Sequence, residues 1–437
     1  MAPSDNDRYT IPKWFTRAGL LLLATGMLFG LLGSLQYLIP GLFRSSLSFE
    51  QVRPLHVSAV VFWIIFGASG AVLTYLQQMA SKKPSTLLLR CQFWLFVISV
   101  VFILIAYIAG WFGGREYWEF PPVLALPFVL GWLLFLVQVL RSIRTFRRQP
   151  VYVWMWATGA VAFLFTYLES YLWLLPYFRN NIVHDMTIQW KSYGSMVGSW
   201  NMLIYGSGMF LMEKISGQQT YSRSAMAYAL YFLGLFNLMF NWGHHIYTLP
   251  THGWVKNISY FVSMTELLIL GRILYLWRGS VTAARKYYYR SAYRMLAAAD
   301  AWVFLTLLLA IAMSVPGINI YTHGTHITVA HTMGATIGIN TFMLLAIAFD
   351  VLEHGDMQGR WMMRGYWLAN GGLLVFWLSL IGAGVVRAKW QMSVQTIPFR
   401  QMMLQLQPFL VVFAAAGTVL ITGVLLMIFP LLKKKQA

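Results

Sequence analysis

NWGHHIYTLP (residues 241–250) closes an apolar run that begins near residue 225, and it sets two histidines, His244 and His245, inside a segment long enough to cross a bilayer. Two further apolar segments do the same. VRPLHVSAVVF (52–62) carries His56 at the start of one, and YTHGTHITVAH (321–331) carries His331 in the first turns of another. An imidazole in hydrocarbon is costly unless a metal or a hydrogen-bond partner takes up its nitrogens. Histidines that are distant in sequence and equal in depth ask for a common explanation.

Composition frames that reading. Of 437 residues, 59% are hydrophobic and 10% are charged, and the mean hydropathy is +0.62. A soluble domain carries about 25% charged residues. The class that fits is an all-α integral membrane protein. The 19 Trp and 23 Tyr suit membrane interfaces, where amphipathic rings settle. Twelve spans are read at 14–39, 56–78, 88–110, 121–140, 151–176, 192–212, 225–248, 257–277, 295–315, 327–349, 365–386 and 403–431. Each lies near the ~20 residues that a crossing needs. No long linker or internal repeat divides them, so residues 1–437 read as one membrane domain.

The formal charge of +19 follows topology. With a cytoplasmic N-terminus, about two-thirds of the Lys and Arg fall on the inner side, among them Arg141, Arg144, Arg147, Arg148, Lys433 and Lys434. The bias implies an even number of spans, both termini inside, and no nucleic-acid partner. A multi-pass protein of a bacterial-type inner membrane is expected, with lipid as its surroundings. The single cysteine, Cys91, excludes an internal disulfide and a CxxCH heme attachment. The polar start MAPSDNDRYTIPKWFTR leads into a full span and does not read as a cleavable signal peptide.

On this topology His56, His244, His245 and His331 all fall in the outer third of the bundle. Imidazole suits iron, copper and zinc, so the set points to buried metals or hemes. Adjacent residues of a helix stand about 100° apart, so His244 and His245 can reach one metal between them. His331 and Met333 are two apart and face opposite ways. A helix so equipped can separate two hemes, with the Met333 thioether as an axial ligand that raises the reduction potential. Glu266 lies roughly 16 Å into the eighth span. It reads as a metal ligand or proton relay, against the plainer reading of a hydrogen-bonded structural acid. Glu169 and Asp300 are further membrane acids, for which structural pairing is at least as good an account.

These residues resemble the catalytic subunit of the heme-copper oxidase superfamily, over about residues 50–352. VRPLHVSAVVF is similar to the second-helix motif of cbb-type oxidases and nitric oxide reductases, which makes His56 an axial ligand of a low-spin heme. NWGHHIYTLP resembles the seventh-helix pair that holds the non-heme metal, here His244 and His245. YTHGTHITVAH resembles the nitric oxide reductase segment that leads to the proximal ligand of the high-spin heme, here His331. A carboxylate on the eighth helix marks the reductase branch, and Glu266 has the matching offset. The resemblance implies a twelve-helix transmembrane bundle of the heme-copper oxidase type with two b-type hemes.

Two departures stand out. YGSMVG (193–198) puts Ser195 where the family carries a third histidine for the non-heme metal, and Ser199 where the reductases carry a second acid. The non-heme iron is then held by His244, His245 and Glu266 in an altered site, or is absent. Met333 replaces the second histidine of the tenth helix, so the low-spin heme has His56 and Met333 as its ligands. Arg53 would pair with a heme propionate or stand as a plain interfacial arginine, and a calcium ion is a further expectation. The resemblance implies reduction of nitric oxide to nitrous oxide, with electrons from a membrane-anchored cytochrome c subunit or another donor. A cbb-type terminal oxygen reductase and a non-catalytic diheme electron-transfer or sensing protein stay open beside it.

Overall fold

Lipid gives backbone N–H and C=O groups no partner, so a chain of this composition must satisfy them within helices. The computed structural model describes residues 5–219, 221–246, 249–352, 359–393 and 397–433; the side chains of residues 5–9, 263, 264, 266, 267 and 316 lie outside that description. The long helices are α1 (Asp5–Leu38), α2 (Phe49–Met79), α3 (Thr86–Ile108), α4 (Ala125–Ser142), α5 (Val151–Glu169), α6 (Ile182–Ser216) and α7 (Ala225–Phe240). They continue with α8 (Gly253–Ser280), α9 (Arg290–Ser314), α10 (His326–Val351), α11 (Arg360–Met392) and α12 (Phe399–Leu432). Among the described residues no strand is present beyond one isolated bridge, Arg115 to Trp118.

The expected twelve spans meet a count of 10 helical stretches that are long and apolar enough to cross a membrane. α6 and α8 fall outside that count, although they are 35 and 28 residues long. In α6 the uncharged stretch 192–212 is diluted by its serines, glycines, tyrosines and Asn201, and in α8 the count does not extend across residues 263, 264, 266 and 267, which lie outside the described side chains. These two helices flank the polar interior described below. The chain is nonetheless an all-helical, multi-span membrane bundle.

Two helices occupy the middle. In α2 83% of the spanning window is buried, and in α10 72%, against 33–61% elsewhere. They touch through Trp63, whose Nε1–H donates to Thr341 Oγ1 at 3.2 Å. α10 is not uniform: an α-helix runs from His326 to Met333, a π-helical stretch from Gly334 to Thr341, and α-helix again from Phe342 to Val351. Such π segments cluster at functional sites. Thr325 caps the start of α10 by accepting from Ile327 N–H.

Charges at membrane depth are paired, because an unpaired one costs several kcal/mol. Arg278 donates to Asp300 at 2.8 Å, Lys214 lies 2.8 Å from Asp350, and Lys191 bonds Glu169. Glu169 and Asp300 are therefore ion-pair partners. α11 and α12 approach through small residues: a Cβ added to Gly423 would stand 2.4 Å from Ala369 N, and one on Gly365 would stand 2.7 Å from Gly423 O. Without a hydrophobic drive between lipid-bathed helices, such close backbone contact carries the association. Gly423→Leu is expected to cost about 1–3 kcal/mol by overpacking, read as a lower unfolding midpoint in detergent. An unchanged midpoint contradicts this contact.

Candidate functional site

α7 stops at Phe240, and His244 and His245 stand on a three-residue-per-turn stretch, Asn241–Ile246, rather than on the α-helix expected for them. Neighbouring side chains there diverge by about 120°. Two glycines let this turn wedge between α6 and α8. A Cβ on Gly194 would meet Trp242 Cβ at 2.8 Å, and one on Gly243 would meet Val255 O at 3.0 Å. Ser259 of α8 pins the turn. Its hydroxyl accepts from His244 N–H at 3.0 Å and donates to Asn241 O at 2.8 Å. The rings of His244 and His245 are 4.1 Å apart between centres. Trp190 of α6 stacks flat on His245, at 4.8 Å and 6°.

These histidines wall a cavity of about 190 Å³ that is also lined by His323, His331, Asn237, Asn319 and Tyr205. The sequence motifs pointed to His244, His245 and His331, and the fold brings the three to one space. His331 Nδ1, Asn237 Oδ1 and Asn319 Oδ1 are buried without a hydrogen-bond partner among the described residues. Each such atom costs about 1–3 kcal/mol, and a bound group that takes up these valences would repay the cost. A space lined by imidazoles, one with an orphaned ring nitrogen, offers donors of the kind that hold a heme beside a second metal. Among the described residues, no three His, Cys, Asp or Glu side chains already close on one ion. Glu266 sits in α8, but its side chain lies outside the described residues.

The cavity face of α6 is Gly194, Val197, Asn201 and Tyr205. Ser195 is buried beside that face, and its carbonyl accepts from the Ser199 hydroxyl at 2.8 Å. α6 begins earlier than the expected span and so includes His184, which packs at the outer end on Tyr177, 5.1 Å away. α6 thus sends no imidazole into the cavity. His323 and Trp190 were not singled out from the sequence. The signal for His323 was the turn HGT: Gly324 adopts a left-handed backbone (φ +71°) just before the Thr325 cap, and His323 lies at the cavity wall. His323 stands 6.3 Å from His245 between ring centres. Burial holds it below the usual imidazole value, so its lone pair is free at neutral pH.

His56 lies apart from this cavity, where α2 packs on α1. Its Nδ1 is 2.7 Å from the Gly26 carbonyl. A carbonyl only accepts, so Nδ1 carries the proton and Nε2 is left to ligate, an arrangement typical of metal-bound histidine. Gly30 makes the room, since a Cβ there would stand 2.7 Å from His56 Nδ1. Met333 is half-buried against the main core and is not part of the cavity wall that His331 joins. The described contacts do not join Met333 to His56. Arg53 has two carboxylate partners in the chain, Glu119 at 2.9 Å and Glu116 at 2.5 Å. This fork joins α2 to the 109–121 loop at the outer end of the helix. Burial pushes the Glu119 carboxyl above its usual range despite Arg53.

Known proteins share this arrangement of helices. The family model for cytochrome c and quinol oxidase polypeptide I matches residues 10–419. A nitric oxide reductase subunit of Stutzerimonas stutzeri is 23% identical over 87% of this chain and 83% of its own. The Cbb3-type cytochrome c oxidase subunit CcoN1 of Stutzerimonas stutzeri is 22% identical over 89% and 86%. A heme-copper terminal oxidase dimer solved by cryo-EM superposes with TM-score 0.76 at 14% identity, covering 100% of this chain and 85% of that one. The chain therefore belongs to the cytochrome c and quinol oxidase polypeptide I family, membrane oxidoreductases of the heme-copper oxidase type.

Proposed function

We propose that this protein reduces nitric oxide to nitrous oxide as the heme-bearing subunit of a nitric oxide reductase-like complex. The observation that carries the reading is the convergence of His244, His245 and His331 on one cavity, with an acidic residue, Glu266, on the helix packed against it. The likeness to the Stutzerimonas stutzeri nitric oxide reductase chain supports it. The reaction balances as two nitric oxide molecules, two electrons and two protons giving one nitrous oxide and one water. Bound hemes and a non-heme metal would supply the electrons and the open coordination positions for the gas.

The chain's own residues do the rest. His56, oriented by the Gly26 carbonyl, and Met333 hold the low-spin heme, and His331 holds the high-spin one. His244 and His245, fixed by Ser259 and Trp190, hold the non-heme metal together with Glu266. Glu266 is the titratable acid in this set, and its role is to deliver protons or to join the metal's ligands. Electrons come from a membrane-anchored cytochrome c subunit. Oxygen reduction is the second reading, and the cbb3-type relative favours it.

Turnover with nitric oxide under anaerobic conditions, compared with turnover on oxygen alone, decides between the two. Nitric oxide consumption with nitrous oxide as product is expected, and oxygen consumption without any nitrous oxide formation contradicts the proposal. Glu266→Gln should slow turnover by about 10²–10⁴-fold with heme spectra unchanged; undiminished turnover removes Glu266 from the mechanism. Met333→His should lower the low-spin heme's reduction potential in a redox titration, because thioether ligation raises it. A potential and spectrum equal to the wild type refute that ligation.

A further inference from the structure

Away from the histidines, the surface turned to lipid has a groove where α4, α5 and α7 meet. It holds about 340 Å³ and is lined by Leu140, Phe146, Trp154, Ala157, Val161 and Tyr231. Leu140 and Val161 are exposed at its rim. Sites that take bound molecules run to about 300–1,000 Å³. The two hydroxyls in the wall, Thr158 and Tyr231, bond each other at 3.0 Å, so they offer little to a polar guest. A hydrocarbon chain suits such a lining. One end of the groove meets the loop between α4 and α5. Phe146 of that loop enters the wall and rests on Trp154, 5.0 Å away between ring centres. Arg141, Arg144, Arg147 and Arg148 are exposed and stand next to Leu140 and Phe146 in the chain. Just ahead of α7, Arg223 donates to the Arg148 carbonyl at 2.7 Å and ties the loop to that helix. The sequence holds no Asp or Glu from residue 120 to 168. The four arginines therefore have no acid on their own loop or on the helices that it joins.

We propose that this groove binds an anionic phospholipid, with an acyl chain along α4, α5 and α7 and the phosphate against the arginines of the 141–148 stretch. Two independent features point to that one ligand: an apolar groove on membrane-spanning helices, and uncompensated cations at its end. Basic clusters beside spanning helices hold anionic headgroups. The planar guanidinium also meets phosphate oxygens two at a time. A choline lipid would fill the groove equally well, but its headgroup brings a cation to a loop that already carries four. A quinol would need partners for its ring oxygens, and the hydroxyls of the wall are already paired with each other. The site thus selects by headgroup charge at one end and by apolar contact along its length.

The test is native mass spectrometry of the full-length protein, stripped of lipid in detergent and titrated with phosphatidylglycerol or with phosphatidylcholine of the same chains. Wild type is expected to bind its first phosphatidylglycerol at least about fivefold more tightly than phosphatidylcholine, the factor that one arginine near a headgroup contributes. Arg144→Gln combined with Arg147→Gln should remove that preference and leave phosphatidylcholine binding as it was. Val161→Trp, which fills the groove from an exposed wall position, should weaken both lipids. Arg360→Gln combined with Arg364→Gln, at the basic start of α11, is the control and should keep the wild-type preference. Equal binding of the two lipids by wild type overturns the proposal, and so does a preference that survives the Arg144 and Arg147 changes. Undiminished binding in Val161→Trp overturns the role of the groove. An equal loss in the α11 control assigns the preference to the whole basic face and overturns the site. Tighter binding of a short-chain quinol than of phosphatidylglycerol overturns it in favour of a redox lipid. If the Arg144 and Arg147 changes impair folding, seen as a lower unfolding midpoint, the Val161→Trp result decides.

Discussion

Imidazoles buried at membrane depth have to be satisfied, and the bundle is arranged round that need. Neither lipid nor a dry core offers them hydrogen-bond partners. His56 meets the need at one nitrogen through the Gly26 carbonyl. His244, His245, His323 and His331 meet it by sharing a cavity. The helices that carry His56 and His331 are among the most enclosed of the bundle. Glycines at 26, 30, 194 and 243 appear where a side chain would block those approaches. The same close packing that lets helices associate in lipid thus sets the histidines in place.

Polarity inside the bundle has a second consequence. α6 and α8 line or adjoin the cavity and also carry ion-paired residues, such as Lys191 with Glu169 and Arg278 with Asp300. α6 is less apolar than its neighbours because its stretch 192–212 carries serines, glycines, tyrosines and Asn201. The polar network extends inward from the cavity, where Asn340 donates to Asn201 at 3.0 Å. Near the inner surface, Tyr75 donates to Asp350 at 3.3 Å.

Much of this was legible in the sequence. Composition and basic-residue bias gave a helical membrane domain, and the motifs round His244, His245 and His331 placed three of the four cavity imidazoles. What escaped has specific causes. The unwinding of α7 into a tighter turn depends on its fit between Gly194 and Ser259, a tertiary contact that periodicity does not encode. The carboxylates that take Arg53 come from a loop more than sixty residues away. His323 precedes its helix, so a search for ligands on spans passes over it, although the Gly324 turn and Thr325 cap beside it are written in the chain.

On this reading α2 and α10 hold two porphyrins beside the metal held by the Asn241–Ile246 turn, and every proposed role of the chain depends on the hemes' presence. The most direct measurement is the heme content of the purified protein after heme-replete expression, by absorbance and by extraction. Two non-covalent b-type hemes per chain, one low-spin and one high-spin, are the predicted result. A colourless protein, with no Soret band, would contradict it.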